Sequence, residues 1–261
     1  MHKIHMAEVT PEFESCWKAA GSHIQRMAGG DLMSWLKSTL NPPFLEHLSF
    51  RLGNQLFFIH IEDEDGMLKV PGNPKGLMSI SNGCNGHACL MPMKKQGGRW
   101  QPTAPGWGLI SAQTRRAIDP ISFVSDEKIV MTDWELQDFA VQVVREDLKN
   151  AGRELMSWNG SPEVSPSLWF VGDDGPEWVI VRAYRFPNED EGVPENIEDI
   201  KRQLSQVSVK GNYAGVGFAD MSEMLNMDNM DNMDNIDSDE TPPIYRGNGL
   251  NVTYEGLKEI T

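Results

Sequence analysis

A chain of 261 residues, 39% hydrophobic and 23% charged, has a globular composition and the length for one large domain or two ordinary ones. Its formal charge of −15 opposes the basic footprint that duplex DNA or RNA needs, so the expected partner is another protein, a basic one being the best charge match. Three cysteines (Cys16, Cys84, Cys89) are too sparse for a disulfide framework, and no apolar run is long enough to span a membrane.

The opening stretch, "MHKIHMAEVTPEFESC", has no apolar segment of the signal-peptide kind, so the expected location is cytoplasmic. Thr10 followed by Pro11 reads as a helix cap and a first-turn proline. Beyond them Phe13, Cys16, Trp17, Ala20, Ile24, Met27 and Ala28 recur at spacings of three and four, one face of an amphipathic helix. "HLSFRLGNQLFFIHIE" (47–62) reads as strand, glycine turn, strand. "DEDGMLKVPGN" (63–73) leads to a short helical stretch, and "HACLMPM" (87–93) is a further strand. In "PTAPGWGL" (102–109) the glycines permit a tight bend before a last strand.

After 113–131 the series begins again. Thr132 with Glu135 forms a capping box, followed by the apolar face Leu136, Phe139, Ala140, Val143, Val144, Leu148 and Ala151. The pentamer "DLMSW" (31–35) returns as "ELMSW" (154–158), 123 residues on, and the same offset carries Phe13, Cys16, Trp17 and Ala20 onto Leu136, Phe139, Ala140 and Val143. "SLWFVGDDGPEWVIVRA" (167–183) repeats the hairpin, with an expected turn of different length. "EDEGVPEN" (189–196) repeats the acidic connection, "ENIEDIKRQLSQ" (195–206) the helix and "YAGVGFA" (213–219) the strand. Pro102, Gly106, Gly108 and Leu109 meet Pro243, Gly247, Gly249 and Leu250 at an offset of 141.

An ordered series of matches predicts an α+β protein built by tandem duplication of an α-β-β-β-α-β-β domain. Each copy should be a mostly antiparallel sheet with one long helix packed on it, spanning 8–115 and 130–261. The expected core includes Trp17, Trp35, Phe50, Phe57, Ile59, Leu90, Phe139, Val143, Trp158, Phe170, Val179, Val181 and Leu250.

Copy two carries an insertion, "DMSEMLNMDNMDNMDNIDSDET" (220–241), with eight acids and no base. Its period of three matches neither an amphipathic helix nor a calcium loop, so it reads as a solvated low-complexity loop. The matching loop of copy one, "KKQGGRW" (94–100), is basic, and the opposite charges offer a means of self-association.

"CNGHAC" (84–89) offers at most three ligands with no second cluster, and reads as core rather than zinc site. "GWG" and "GNG" lack the pattern of a phosphate loop, and none of the six histidines stands beside an evident nucleophile. No catalytic, metal or cofactor residue is therefore assigned. Candidate partner-binding residues are Trp100 and Trp107 near the basic loop, and Tyr245 and Arg246 at the matching place of copy two, read as exposed anchors, with burial in the core as the alternative for the aromatics.

The element order and acidity resemble the small acidic chaperones of type III secretion, which implies partner binding and a covalent pseudo-dimer. The order is also similar to the restriction-endonuclease-like core. There His60 or Arg182 takes the place of the motif lysine, but Phe58, Ile180, Leu48 and Leu168 stand where carboxylates are required. The expected function is non-catalytic protein binding of a chaperone or adaptor kind. The alternatives are a degenerate metal-dependent nuclease and a nucleic-acid-mimicking inhibitor.

Overall fold

The Thr10 hydroxyl accepts a hydrogen bond from the Phe13 backbone N–H at 3.1 Å, and with Pro11 it opens α1 (Pro11–Ala28). The computed structural model describes residues 9–29, 33–38, 40, 47–72, 74–222 and 241–260. The chain divides into two units, Met1–Glu127 and Lys128–Thr261.

In the first unit α1 is followed by β1 (Met33–Lys37), β2 (Leu48–Leu52), β3 (Gln55–Asp63), α2 (Pro74–Gly83), β4 (His87–Gln96), β5 (Arg99–Pro102) and β6 (Ile110–Ser111). The sheet order is β1-β2-β3-β4-β5, with β6 also paired to β4. Alternation along β3 sends Phe57, Ile59 and Ile61 into a core with Phe13, Trp17, Ala20 and Ile24 of α1. Leu56 and Phe58 bury on the opposite face. Each such aliphatic or aromatic side chain contributes about 1.5–3 kcal/mol when fully buried.

The second unit opens with the full capping box: Thr132 accepts from the Glu135 N–H, and the Glu135 carboxylate accepts from the Thr132 N–H. Then come α3 (Asp133–Asn150), β7 (Glu154–Trp158), β8 (Leu168–Gly172), β9 (Gly175–Arg185), α4 (Ile197–Leu204), β10 (Gly211–Asp220), β11 (Leu250–Tyr254) and β12 (Lys258–Ile260). The order is β11-β10-β9-β8-β7, with β12 also paired to β10. Leu136, Ala140, Val144 and Leu148 of α3 pack on Leu168, Phe170, Val179, Val181, Val216 and Phe218. On the other face Ile200 of α4 packs on Trp178, Ile180 and Tyr213. The unit is thus three layers: helix, sheet, helix.

Among the described residues the protein is α+β, with two mixed sheets and four α-helices. The expected antiparallel pairs flank one parallel pair in each sheet, β3 with β4 and β9 with β10. The parallel pairing follows from the helical crossovers α2 and α4, because only a long connection returns a strand in the same direction. A short additional strand, β6 or β12, also joins each sheet.

Register corrects one further expectation. Both hairpins close on two residues, Gly53-Asn54 between Leu52 and Gln55, and Asp173-Asp174 between Gly172 and Gly175, so the turns do not differ in length. The tryptophans that end the two pentamers lie on β1 and β7 at different depths: Trp35 stands opposite Phe50, two residues from the hairpin end, and Trp158 opposite Leu168, four residues from it. Residues 116–127 pack as part of the first unit. Phe123 lies 4.4 Å from the His87 ring, Val124 joins the core, and the Asn54 side chain donates to the Glu127 carbonyl at 2.8 Å.

Of the expected core, Trp17, Phe50, Phe57, Ile59, Leu90, Phe170, Val179 and Val181 are buried, and Trp35, Phe139, Val143, Trp158 and Leu250 pack against it half-buried. Residues 223–240 of the acidic insertion lie outside the described residues. Its base is described. Asp220 is buried and accepts from the Ser222 and Tyr245 N–H groups and the Asn248 side-chain amide, at 2.9, 3.1 and 2.8 Å.

Candidate binding site

Strand β9 is longer than its neighbour β8, and that excess length builds a recessed surface of the second unit. The β8 ladder ends where Leu168 meets Val179. Past that point side chains take over. The Ser167 hydroxyl accepts from the Val181 N–H at 3.2 Å, and the buried Gln137 amide donates to the Val181 carbonyl at 2.9 Å and accepts from the Ala183 N–H at 3.1 Å. With its polar groups satisfied, β9 runs on beside β10, and the Phe186 N–H continues the parallel ladder to the Phe218 carbonyl at 2.9 Å.

The outer face of β10 is cut back to permit this. A side-chain carbon at Gly217 would lie 2.7 Å from the Tyr184 ring, and one at Gly215 would collide with the Asp190 carboxylate. The two glycines let a tyrosine lie flat on the sheet and let an acidic loop fold down beside it. The result is a cavity of about 450 Å³ at the carboxyl ends of the parallel strands. Its floor is Gly217 and Ala219. One wall is Tyr184, Phe186 and Pro187, the other Asn251 and Thr253 of β11, and the lip is Asn188, Glu189 and Asp190. Phe186 keeps 53% of its surface in solvent, although it is large and apolar.

Hydrogen bonds fix the lip in place. The Tyr213 hydroxyl donates to Asp190, which also accepts from the Gly192 N–H at 3.0 Å, and the Asn188 amide donates to the Thr241 hydroxyl at 3.2 Å. Burial pushes the Tyr213 phenol well above the ordinary tyrosine range, and its bond to Asp190 pushes the same way. Tyr184 is raised too, by burial first and then by the charge of Asp190. Residues 186–196 contain four acids and no base, so the lip is negative.

The candidate residues chosen from sequence do not converge there. Trp107 is 4% exposed and stacked on Phe50, centroids 6.0 Å apart with planes 8° from parallel. Trp100 is buried on α1 and its indole N–H donates to Glu12 at 2.6 Å. Arg246 is buried against Glu135. Only Tyr245 of the four is half-buried, with Lys128 Nζ 5.0 Å from its ring centroid. Exposure therefore fails for Trp100 and Trp107, which fill the first core, and for Arg246, which is buried in its pair with Glu135. The basic loop is also committed within its unit: Lys94 pairs with Asp65 at 2.9 Å and Lys95 with Glu12 at 2.8 Å.

Among the described residues no group of three or more His, Cys, Asp and Glu side chains is placed to hold a metal ion. Cys89 lies in the first core, where burial pushes its thiol up to about 12, and His87 stacks on Phe57 at 4.9 Å. His60, at one expected motif-lysine position, is lowered by burial. Arg182, at the other, donates to the Ser165 hydroxyl at 3.0 Å and is also lowered by burial. No described helix is long and apolar enough to cross a membrane.

The trough residues Tyr184, Phe186, Glu189, Asp190 and Gly217 escaped sequence reasoning, since they are scattered over a strand end, a loop and a second strand. A signal was present. "YAGVGFA" alternates small residues on one face of a strand, which marks a close approach of something to its backbone.

A family model described as Domain of unknown function (DUF8840) matches residues 134–260, just under half of the chain and nearly all of the second unit. Comparison with curated proteins and with solved structures gives no match.

Proposed function

We propose that the chain is a non-catalytic binding protein that captures a segment of another protein in the trough between β9, β10 and β11. The observation that carries this reading is the trough itself: a largely apolar recess lined by Tyr184, Gly217 and Ala219, beside a half-exposed phenylalanine. Recesses with apolar linings and a few convergent polar groups are the usual form of binding sites. Aromatic residues presented on a rigid frame are the usual anchors of protein recognition. The element order of the second unit supports the likeness to secretion chaperones as a guide to role, and the acidity of the lip supports a basic partner.

We also infer that the two units descend from one module. Support comes from the shared strand order, the parallel pair joined by a helical crossover, the two-residue hairpin and the Thr-capped first helix. The family match to 134–260 alone agrees with a second unit that is complete in itself.

The test is selection of peptides from a random display library on the purified protein, counter-selected on Thr253→Trp. Thr253 is exposed on the trough wall, and a strand position accepts tryptophan readily, so the variant should fold and fill the recess. The reading expects an enriched sequence that loses binding to the variant. Equal capture by both proteins would place binding elsewhere.

A further inference from the structure

Resting on that binding reading, we propose that the trough is selective for an extended segment bearing a lysine or arginine next to an apolar side chain. The two ends of the recess differ in chemistry. Its floor and inner wall are backbone and ring: Gly217, Ala219 and the Tyr184 face. Its lip is carboxylate: Glu189 is exposed, and Asp190 is held over Gly215 by Tyr213 and the Gly192 N–H.

A long basic side chain fits that division. Its methylene stem covers apolar surface while its charged head stays at the wet end, and the head gains from both the aromatic faces and the carboxylates. An apolar neighbour on the segment would fill the glycine floor. No lysine or arginine in 186–196 competes for Glu189 and Asp190. The nearby cation Lys258 is paired with Glu255 at 3.0 Å and also feels the charge of Asp190, which makes Glu189 the main carboxylate for an incoming cation. Thr253 supplies a hydroxyl along the exposed strand β11, which suits an extended backbone rather than a helix. The charge of −15 on the whole chain steers cationic segments toward the site and repels acidic ones.

The experiment measures calorimetric affinities of the full chain for three acetylated, amidated peptides in low salt: Gly-Phe-Lys-Gly, Gly-Phe-Gln-Gly and Gly-Phe-Glu-Gly. The lysine peptide should bind about three-fold more tightly than the glutamine peptide, the range of a partly exposed ion pair, and the glutamate peptide more weakly still. Glu189→Gln, at an exposed position that leaves the fold alone, should reduce the lysine peptide to the level of the glutamine peptide. Thr253→Trp should abolish binding of all three. Equal affinity for the lysine and glutamine peptides, with Thr253→Trp still blocking both, overturns the cationic preference and leaves the binding reading standing. Absence of binding by all three to the wild-type chain overturns both.

Discussion

The Arg246 guanidinium grips Glu135 with two hydrogen bonds, Nε to Oε1 at 2.8 Å and Nη2 to Oε2 at 3.0 Å, and the two side chains are 1% and 7% exposed. Because Glu135 also accepts from the Thr132 N–H, this one carboxylate ties the start of α3 to the segment that leads into β11. Breaking a buried pair from one side strands a charge out of water, at a cost of about 3–5 kcal/mol. Arg246→Met should lose that much in denaturant unfolding of the second unit. The double variant Glu135→Leu/Arg246→Met should recover most of it, apart from roughly 1 kcal/mol for the lost capping box. A single variant as stable as wild type would show that the pair contributes nothing.

Trp107 belongs to the same lesson in the first unit. Stacked on Phe50 and 4% exposed, it should cost about 3–5 kcal/mol when replaced by alanine, with no direct effect on peptide capture by the second unit. A Trp107→Ala protein of unchanged stability and weakened capture would restore the surface role that its sequence context suggests.

Acid should loosen the base of the insertion. Burial raises the Asp220 pKa, but the bonds it accepts from Tyr245, Asn248 and Ser222 outweigh that, and the net shift is downward. A depressed carboxylate contributes stability that is fully present above its ordinary value and is lost as pH falls through the folded one. Asp220→Asn should therefore be less stable than wild type at neutral pH, and the difference should shrink below about pH 4. A pH-independent difference between the two melting curves would contradict the linkage.

Residues 223–240 repeat Met, Asp and Asn, a composition that favours turns and offers little to pack, while the clamp at Asp220 lies outside them. Joining Ser222 to Thr241 through a short Gly-Ser bridge should leave stability within about 0.5 kcal/mol, the range of surface changes. A fall of roughly ten degrees in melting temperature would mean that the segment packs on the unit.

Periodic and capping signals carried the helices. Thr10 with Pro11 and Thr132 with Glu135 each name a start, and the spacing of Phe13, Trp17, Ala20 and Ile24 names a buried face. Strand register was less accessible. "LSF" and "LWF" align by identity, yet the equal two-residue turns and the differing depths of Trp35 and Trp158 depend on pairings across space. The parallel pair likewise follows from α2 and α4 acting as crossovers, which no local pattern announces. The site was the least legible part. Tryptophans look like anchors in a one-dimensional reading, but Trp100 and Trp107 are needed inside, and it is the glycines of β10 that open a surface for Tyr184 and Phe186.

The central claim is that partner capture occurs in the trough of the second unit, and amide NMR of the labelled full chain with the tightest selected peptide tests it most directly. Shift changes should concentrate at 184–190, 217–219 and 251–253 and vanish in Thr253→Trp. Changes centred instead on the first unit around Trp100 and Arg99, with 184–190 silent, would contradict the account.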